Sequence, residues 1–130
     1  MIKHTKKGEK LKIEVSKRNP KIALVTSATP VITDRQSALD LMATVRYETE
    51  CEVMIVEKSA LPEEFFDLST GFAGEILQKI TQYRMVIAIA GDISGYESKA
   101  LRDFVRECNR GRQVYFGASM EACEETLAGR

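Results

Sequence analysis

The segment "VMIVEKSALPEEFFDLSTGFAGEILQKITQYRMVIAIAGD", Val53 to Asp92, contains the pattern that indicates the fold class of this chain. It begins and ends with short apolar runs, Val53 to Val56 and Met85 to Ala90, which are typical of strands covered on both faces. Between them, four apolar residues recur at the spacing of one face of an amphipathic helix: Ala73, Ile76, Leu77 and Ile80. A strand, a helix and a second buried strand in this order predict parallel pairing through a right-handed crossover.

The same alternation continues on both sides of this stretch. Upstream, the apolar run Ile22 to Val25 precedes a helical stripe made of Ala38, Leu41, Met42 and Val45, with Thr33 or Asp34 available as N-cap. Downstream, a third stripe consists of Leu101, Phe104, Val105 and Cys108. Val114 to Phe116 is then predicted as the last strand and Ser119 as the N-cap of a final helix.

The chain begins with a different pattern. Leu11, Ile13 and Val15 alternate with polar residues, which is the period of a strand with one face in water. The turn signal "RNP" at Arg18 to Pro20 predicts that this strand pairs with the next one as a hairpin. The sequence therefore predicts an α/β fold in one domain over residues 10–130, with the order β-β-α-β-α-β-α-β-α and a mostly parallel sheet with an antiparallel N-terminal edge strand.

The composition is that of an ordinary globular protein. The chain has 130 residues, of which 44% are apolar and 29% charged. Cys51, Cys108 and Cys123 have no spacing typical of a disulfide framework or a zinc site, which favours a reducing, cytoplasmic location. No apolar segment has the length of a signal peptide or a membrane span, so no membrane partner is expected.

The charge is balanced overall but unevenly distributed. Met1 to Lys21 contains eight Lys or Arg and two Glu, which leaves eleven basic and seventeen acidic residues in the rest. Residues 1–9 are therefore predicted to form a flexible basic arm. Since this arm lacks interleaved aromatic residues and the body is acidic, no nucleic-acid partner is expected.

Several catalytic chemistries lack their residues. His4 is the only histidine, so triads that use a histidine base and histidine-rich metal sites have no plausible set of side chains. The chain also lacks the glycine and lysine spacing of a P-loop. The residues therefore predict no catalytic group, no metal site and no cofactor.

One candidate ligand pocket follows from the strand ends. Open parallel sheets bind ligands outside the carboxyl ends of their strands, and Ser27, Glu57, Asp92 and Ser94 occupy those ends. This pattern fits a binding protein or an enzyme for a small molecule or an anion. The alternative is that these side chains are solvated or cap helices, with Ser94 and Glu97 as a capping box.

A second candidate site is the turn "FDLSTG" with Asp67, Ser69, Thr70 and Gly71. Hydroxyl groups at a helix start lie near unpaired N–H groups and the positive end of the helix dipole, which favour a phosphate. Ser, Thr and Asp are also common N-caps, so a cap without a switch is the alternative.

The element order and this turn resemble the STAS domain of bacterial anti-sigma-factor antagonists. In that family a D-S-S-G turn begins the corresponding helix, and a partner kinase phosphorylates the serine after the aspartate. Here Leu68 follows Asp67, so alignment on Gly71 makes Ser69 the acceptor and alignment on Asp67 places Leu68 there. The resemblance implies a regulatory module that docks a protein partner through this helix start. A homo-oligomer without a ligand is a further alternative.

Three stretches also resemble an uncharacterised bacterial family with a domain of unknown function, of the DUF4180 type. They are "ITDRQSALDLMATVRYE", "FFDLSTGFAGEILQK" and "SGYESKALRDFVRECNRG". That resemblance implies no activity.

Overall fold

A computed structural model describes residues 11–129, so the predicted arm at residues 1–9 lies outside the described residues. The strands are β1 (Lys12–Val15), β2 (Ile22–Thr26), β3 (Val53–Glu57), β4 (Val86–Ala90) and β5 (Val114–Gly117). The helices are α1 (Arg35–Thr49), α2 (Phe72–Gln82), α3 (Lys99–Arg110) and α4 (Met120–Ala128). Three short 3₁₀ helices, Lys58–Ala60, Glu63–Phe66 and Leu68–Thr70, connect β3 to α2. The predicted α/β order is confirmed.

The strands form one sheet in the order β1-β2-β3-β4-β5. β1 is antiparallel to β2, with Ile13 opposite Val25, and the remaining neighbours are parallel. The predicted edge hairpin and parallel sheet are therefore confirmed. Because β2 to β5 run in the same direction, their carboxyl ends lie along one edge of the sheet.

The two faces of the sheet carry separate layers of core. On one face, Val25, Met54 and Ile87 pack with the buried stripes of α1 and α2 and with Leu101 of α3. On the other face, Ile55 and Ala88 pack with Cys123 and Leu127 of α4. Successive strand residues point to opposite faces, so strands with apolar residues at nearly every position can fill both layers.

The stripe of α3 is less buried than its pattern predicts. Leu101 is buried, whereas Phe104, Val105 and Cys108 are only partly buried. The reason is the position of α3, which contacts β5, the last strand of the sheet. A helix over an edge strand has no further strand beneath its outer side.

Side-chain caps determine where the helices begin. The N–H group of Ser37 donates to Asp34 Oδ1 at 2.7 Å, and that of Ala122 donates to Ser119 Oγ at 3.0 Å. These two hydrogen bonds confirm the predicted N-caps of the first and last helices. The predicted capping box of Ser94 and Glu97 is wrong, because α3 begins after Ser98, whose Oγ accepts from the N–H group of Leu101.

Candidate functional site

A cleft of about 650 Å³ lies at the carboxyl edge of the sheet. Its lining includes residues at or just after the ends of β3 and β4, in the first two 3₁₀ segments and at the start of α4: Glu57, Lys58, Glu63, Gly91, Ser119 and Met120. We call it the strand-end cleft. Ligands of open parallel sheets bind at this kind of edge, because the strands end there and the loops leave room between them.

Ser27 and Glu57 meet where β2 and β3 end. The backbone N–H group of Ser27 donates to Glu57 Oε1 at 3.1 Å, which holds the carboxylate in place. The Ser27 hydroxyl is buried and donates to the carbonyl oxygen of Thr29 at 2.6 Å. Glu57 therefore lines the cleft, and the backbone of Ser27 holds the Glu57 carboxylate. The Ser27 hydroxyl is already hydrogen-bonded to Thr29.

Lys58 follows Glu57 and also lines the cleft. Its ammonium nitrogen lies 5.1 Å from the ring centroids of both Phe66 and Tyr96. Those two rings are stacked, with centroids 5.3 Å apart and an interplanar angle of 21°. An ammonium near two aromatic faces is stabilised electrostatically by both, so the rings fix the position of the Lys58 side chain.

Glu63 completes the group around Lys58. Its Oε1 accepts a hydrogen bond of 2.8 Å from the Tyr96 hydroxyl, and its Oε2 lies 3.8 Å from Lys58 Nζ. The pKa of Tyr96 is raised because burial disfavours the phenolate. Tyr96 therefore stays a neutral donor, and it links the loop after β4 to the 3₁₀ segment that carries Glu63.

Asp92 and Ser94 form a turn outside the cleft lining. The N–H group of Ser94 donates to Asp92 Oδ1 at 2.8 Å, and both residues are exposed. Hydrogen bonds from the side chain and the backbone of Ser94 lower the pKa of Asp92. Of the four residues predicted for the pocket, the structure thus brings Ser27 and Glu57 together and leaves Asp92 and Ser94 in a separate turn.

The sequence pattern does not predict three members of this site: Lys58, Glu63 and Tyr96. Lys58 directly follows the strand-end carboxylate, and that adjacency is the one local signal for it. Glu63 and Tyr96 are 33 residues apart, and their contact depends on how the two loops fold over the sheet edge.

The turn from Asp67 to Gly71 lies beside the segment that carries Glu63. Asp67 Oδ1 accepts from the N–H group of Ser69 at 3.1 Å and from its hydroxyl at 2.6 Å. Asp67 therefore caps the 3₁₀ helix Leu68–Thr70, and Gly71, with φ of 76°, holds the N-cap position of α2. The alternative of a helix cap at this turn therefore applies to Asp67 and not to Ser69, because the intervening 3₁₀ turn moves the start of α2 beyond Ser69.

Thr70 and Ser69 use their hydroxyls differently. Thr70 Oγ1 accepts from the N–H group of Phe72 at 3.1 Å and so satisfies one donor in the first turn of α2. Ser69 is exposed and contacts the Asp67 carboxylate instead. A phosphate on Ser69 would therefore begin next to a negative charge.

The cysteines are placed for packing. Cys51 and Cys123 are buried and Cys108 is partly buried, and all three are free thiols. Burial raises the pKa of both Cys108 and Cys123, the latter to about 11. A raised pKa reduces the thiolate fraction and hence the reactivity of a thiol.

The described part of the chain lacks two kinds of feature. Between residues 11 and 129, no group of three or more His, Cys, Asp and Glu side chains is arranged to hold a metal ion. In the same range, no helix is both long enough and apolar enough to cross a membrane.

Comparison with known proteins identifies one family. The protein-family model described as "Domain of unknown function (DUF4180)" matches residues 17–127. No curated protein and no solved structure matches the chain. The STAS-like fold and the bacterial origin stay predictions. The family match extends from before β2 into α4, and so the chain belongs to the DUF4180 family.

Proposed function

We propose that this protein binds a small polar molecule in the strand-end cleft. The observation that carries the proposal is that a carboxylate, Glu57, and an ammonium, Lys58, line the same cleft without pairing with each other. Among residues 11–129, Lys58 forms its ion pair with Glu63 and not with Glu57. Opposite charges kept apart in one cleft are available for complementary groups of a ligand.

The surroundings of the two charges support binding. Ser27 orients the Glu57 carboxylate, and the rings of Phe66 and Tyr96 position Lys58. Groups held in place before a ligand arrives lose little conformational entropy on binding. The cleft volume of about 650 Å³ falls within the range of roughly 300–1,000 Å³ that is usual for small-molecule sites.

A ligand screen by two-dimensional NMR tests this proposal. Isotope-labelled protein is titrated with pools of polar metabolites, and we expect shifts centred on Glu57, Lys58 and Gly91. For a compound that binds, Lys58→Met should weaken the affinity at least about tenfold, as for loss of a charge-assisted contact.

The matched control is Lys99→Met on α3. Lys99 is an exposed lysine whose ammonium pairs with Asp103 at 2.8 Å, away from the cleft. This control should leave the affinity unchanged. A screen without hits, or hits that Lys58→Met and Lys99→Met affect equally, would contradict the proposal.

The turn from Asp67 to Gly71 supports a second candidate function, the docking of a protein partner under control of charge on Ser69. The supporting observation is that Asp67, Ser69 and Thr70 are all exposed at one turn. A phosphate of about −1.5 to −2 charge on Ser69 would repel the Asp67 carboxylate that now holds its hydroxyl at 2.6 Å. Modification would then rearrange the turn and change the surface that a partner contacts.

Intact-mass analysis of protein from its native cell, followed by peptide mapping, tests this second function. A phosphate on Ser69 would support it, provided that Ser69→Asp also changes the affinity for a purified partner that wild type binds. An unmodified chain, together with equal affinities of wild type, Ser69→Ala and Ser69→Asp, would rule it out.

A further inference from the structure

We infer that the ligand of the strand-end cleft is a small zwitterion, a molecule such as a free amino acid that carries one ammonium group and one carboxylate. This inference rests on the proposed function and specifies its ligand class. It follows from the positions of Lys58, Glu57 and Glu63 and from the charge balance of the cleft.

Lys58 provides the site for the ligand's carboxylate. Its side chain is only 26% exposed, and its nearest carboxylate oxygen, Glu63 Oε2, lies 3.8 Å from Nζ. That distance is longer than a hydrogen bond. The hydrogen-bond interaction of Lys58 with the Tyr96 side chain engages one of the three ammonium donors, so donor capacity remains. A ligand carboxylate at hydrogen-bond distance would compensate the partial loss of water around the ammonium.

Glu57 provides the site for the ligand's ammonium group. Its Oε1 accepts one hydrogen bond, from the N–H group of Ser27. No Lys or Arg among residues 11–129 forms a salt bridge with it. Among residues 11–129 the second carboxylate oxygen has no donor, and it can accept from a ligand. Glu63 is different, because Tyr96 already donates to its Oε1 and Lys58 lies near its Oε2.

The charge balance distinguishes a zwitterion from simpler ions. The cleft lining contains two carboxylates, Glu57 and Glu63, and one ammonium, Lys58. A simple anion would add a further negative charge beside the two carboxylates, and a simple cation would offset the net negative charge but provide no opposite charge for Lys58. A zwitterion gives each of Glu57 and Lys58 an opposite charge and leaves the net charge of the cleft unchanged.

The rest of the lining suits the body of such a molecule. Pro30, Leu61 and Met120 contribute apolar surface to the same cleft. Ligand sites commonly combine apolar walls with a few polar groups that fix orientation. An amino acid would place its two charged groups at Glu57 and Lys58 and its side chain against these residues.

Calorimetric titration with matched probes tests the inference. The twenty common amino acids are titrated first, each at millimolar concentration. For the tightest binder, two analogues follow: the amine that lacks the carboxylate and the N-acetyl acid that lacks the ammonium. We expect at least one amino acid to bind and each analogue to bind at least about tenfold more weakly.

Two variants separate the contributions of the charged residues. Glu57→Gln keeps an oxygen for the Ser27 N–H group, so it should stay folded, and it should weaken the amino acid much more than the N-acetyl acid. Lys58→Met should weaken the amino acid much more than the amine. NMR amide shifts that match those of wild type outside the cleft confirm that each variant is folded.

The outcomes for the two proposals differ. If polar metabolites bind in the cleft but no amino acid does, or if the amine or the N-acetyl acid binds as tightly as the amino acid, the zwitterion inference is overturned and the proposed function survives. If no compound of either set binds, both are overturned.

Discussion

Gly91 lies directly against the side chain of Lys58: a Cβ atom at position 91 would be 2.5 Å from Lys58 Cβ. Real Cβ atoms do not approach other carbon atoms so closely, and Lys58 Cβ is attached to the backbone and cannot swing away. The end of β4 can therefore pass the end of β3 at this distance only with a glycine. Since both residues line the strand-end cleft, Gly91 helps to determine where Lys58 sits.

Gly91→Ala should therefore destabilise the protein and displace Lys58. We expect a loss of about 1–3 kcal/mol in the free energy of unfolding, as for other overpacked sites. Urea denaturation measures it. The matched control is Gly95→Ala in the same loop, where a Cβ would meet nothing within 4 Å. Its effect should stay within about 0.5 kcal/mol, and equal effects of the two variants would show that the contact with Lys58 does not matter.

Asp67→Ala should cost more stability than Ser69→Ala. Asp67 accepts the backbone N–H group of Ser69 and caps the 3₁₀ helix, so its loss should cost about 0.5–2 kcal/mol, as for other N-caps. Ser69→Ala removes an exposed hydroxyl and its solvent-exposed hydrogen bond to Asp67, and we expect a change within about 0.5 kcal/mol. Thermal and urea unfolding of both variants compare them. The reverse ranking would restore Ser69 as the cap.

Leu77→Ala should destabilise the core between α2 and the sheet. Leu77 is buried among the residues of that layer, and the change should cost about 2–5 kcal/mol, as for other buried leucines. The neighbouring Gln78 is exposed, so Gln78→Ala serves as control and should change the free energy of unfolding by less than about 0.5 kcal/mol. Chemical denaturation of both variants gives the two values. A cost for Leu77→Ala as small as that of the control would mean that α2 is oriented differently.

Cys123 should make stability fall at alkaline pH. Burial raises the pKa of its thiol from 9.0 to about 11 in the folded protein. The unfolded thiol ionises first as the pH rises, so this contribution is complete below about pH 9 and is lost as the pH approaches 11. Urea unfolding at several pH values should show a steeper alkaline loss for wild type than for Cys123→Ala, which has no thiol there. Parallel pH profiles would contradict the prediction.

The element pattern was predictable because it depends on local spacing and burial. Ala73, Ile76, Leu77 and Ile80 lie on one helical face in any protein that forms this helix, and all four are buried here. The prediction of the start of α3 was wrong because two nearby residues could both cap that helix. Ser94 and Ser98 both have the side chain of an N-cap, and Ser98 is the one that caps α3. The loop continues past Ser94, and in it Tyr96 contacts Glu63 and Phe66.

The site was predictable only in part, for a related reason. Glu57 lies at the end of a recognisable strand, so topology alone puts it at the carboxyl edge. The position of Ser69 depends on a 3₁₀ turn that the residue pattern does not distinguish from the first turn of a helix.

The amino-acid pattern alone predicts the order of strands and helices, the parallel pairing and the edge at which β2 to β5 end. These properties follow from the periodicity of apolar residues, which acts over a few turns of chain. Tertiary packing alone sets three contacts: Lys58 lies beside the stacked rings of Phe66 and Tyr96, Tyr96 donates to Glu63, and Gly91 packs on Lys58. Those contacts join residues 8 to 38 positions apart in loops, where no repeating pattern constrains the backbone and the packing of whole elements sets which side chains meet.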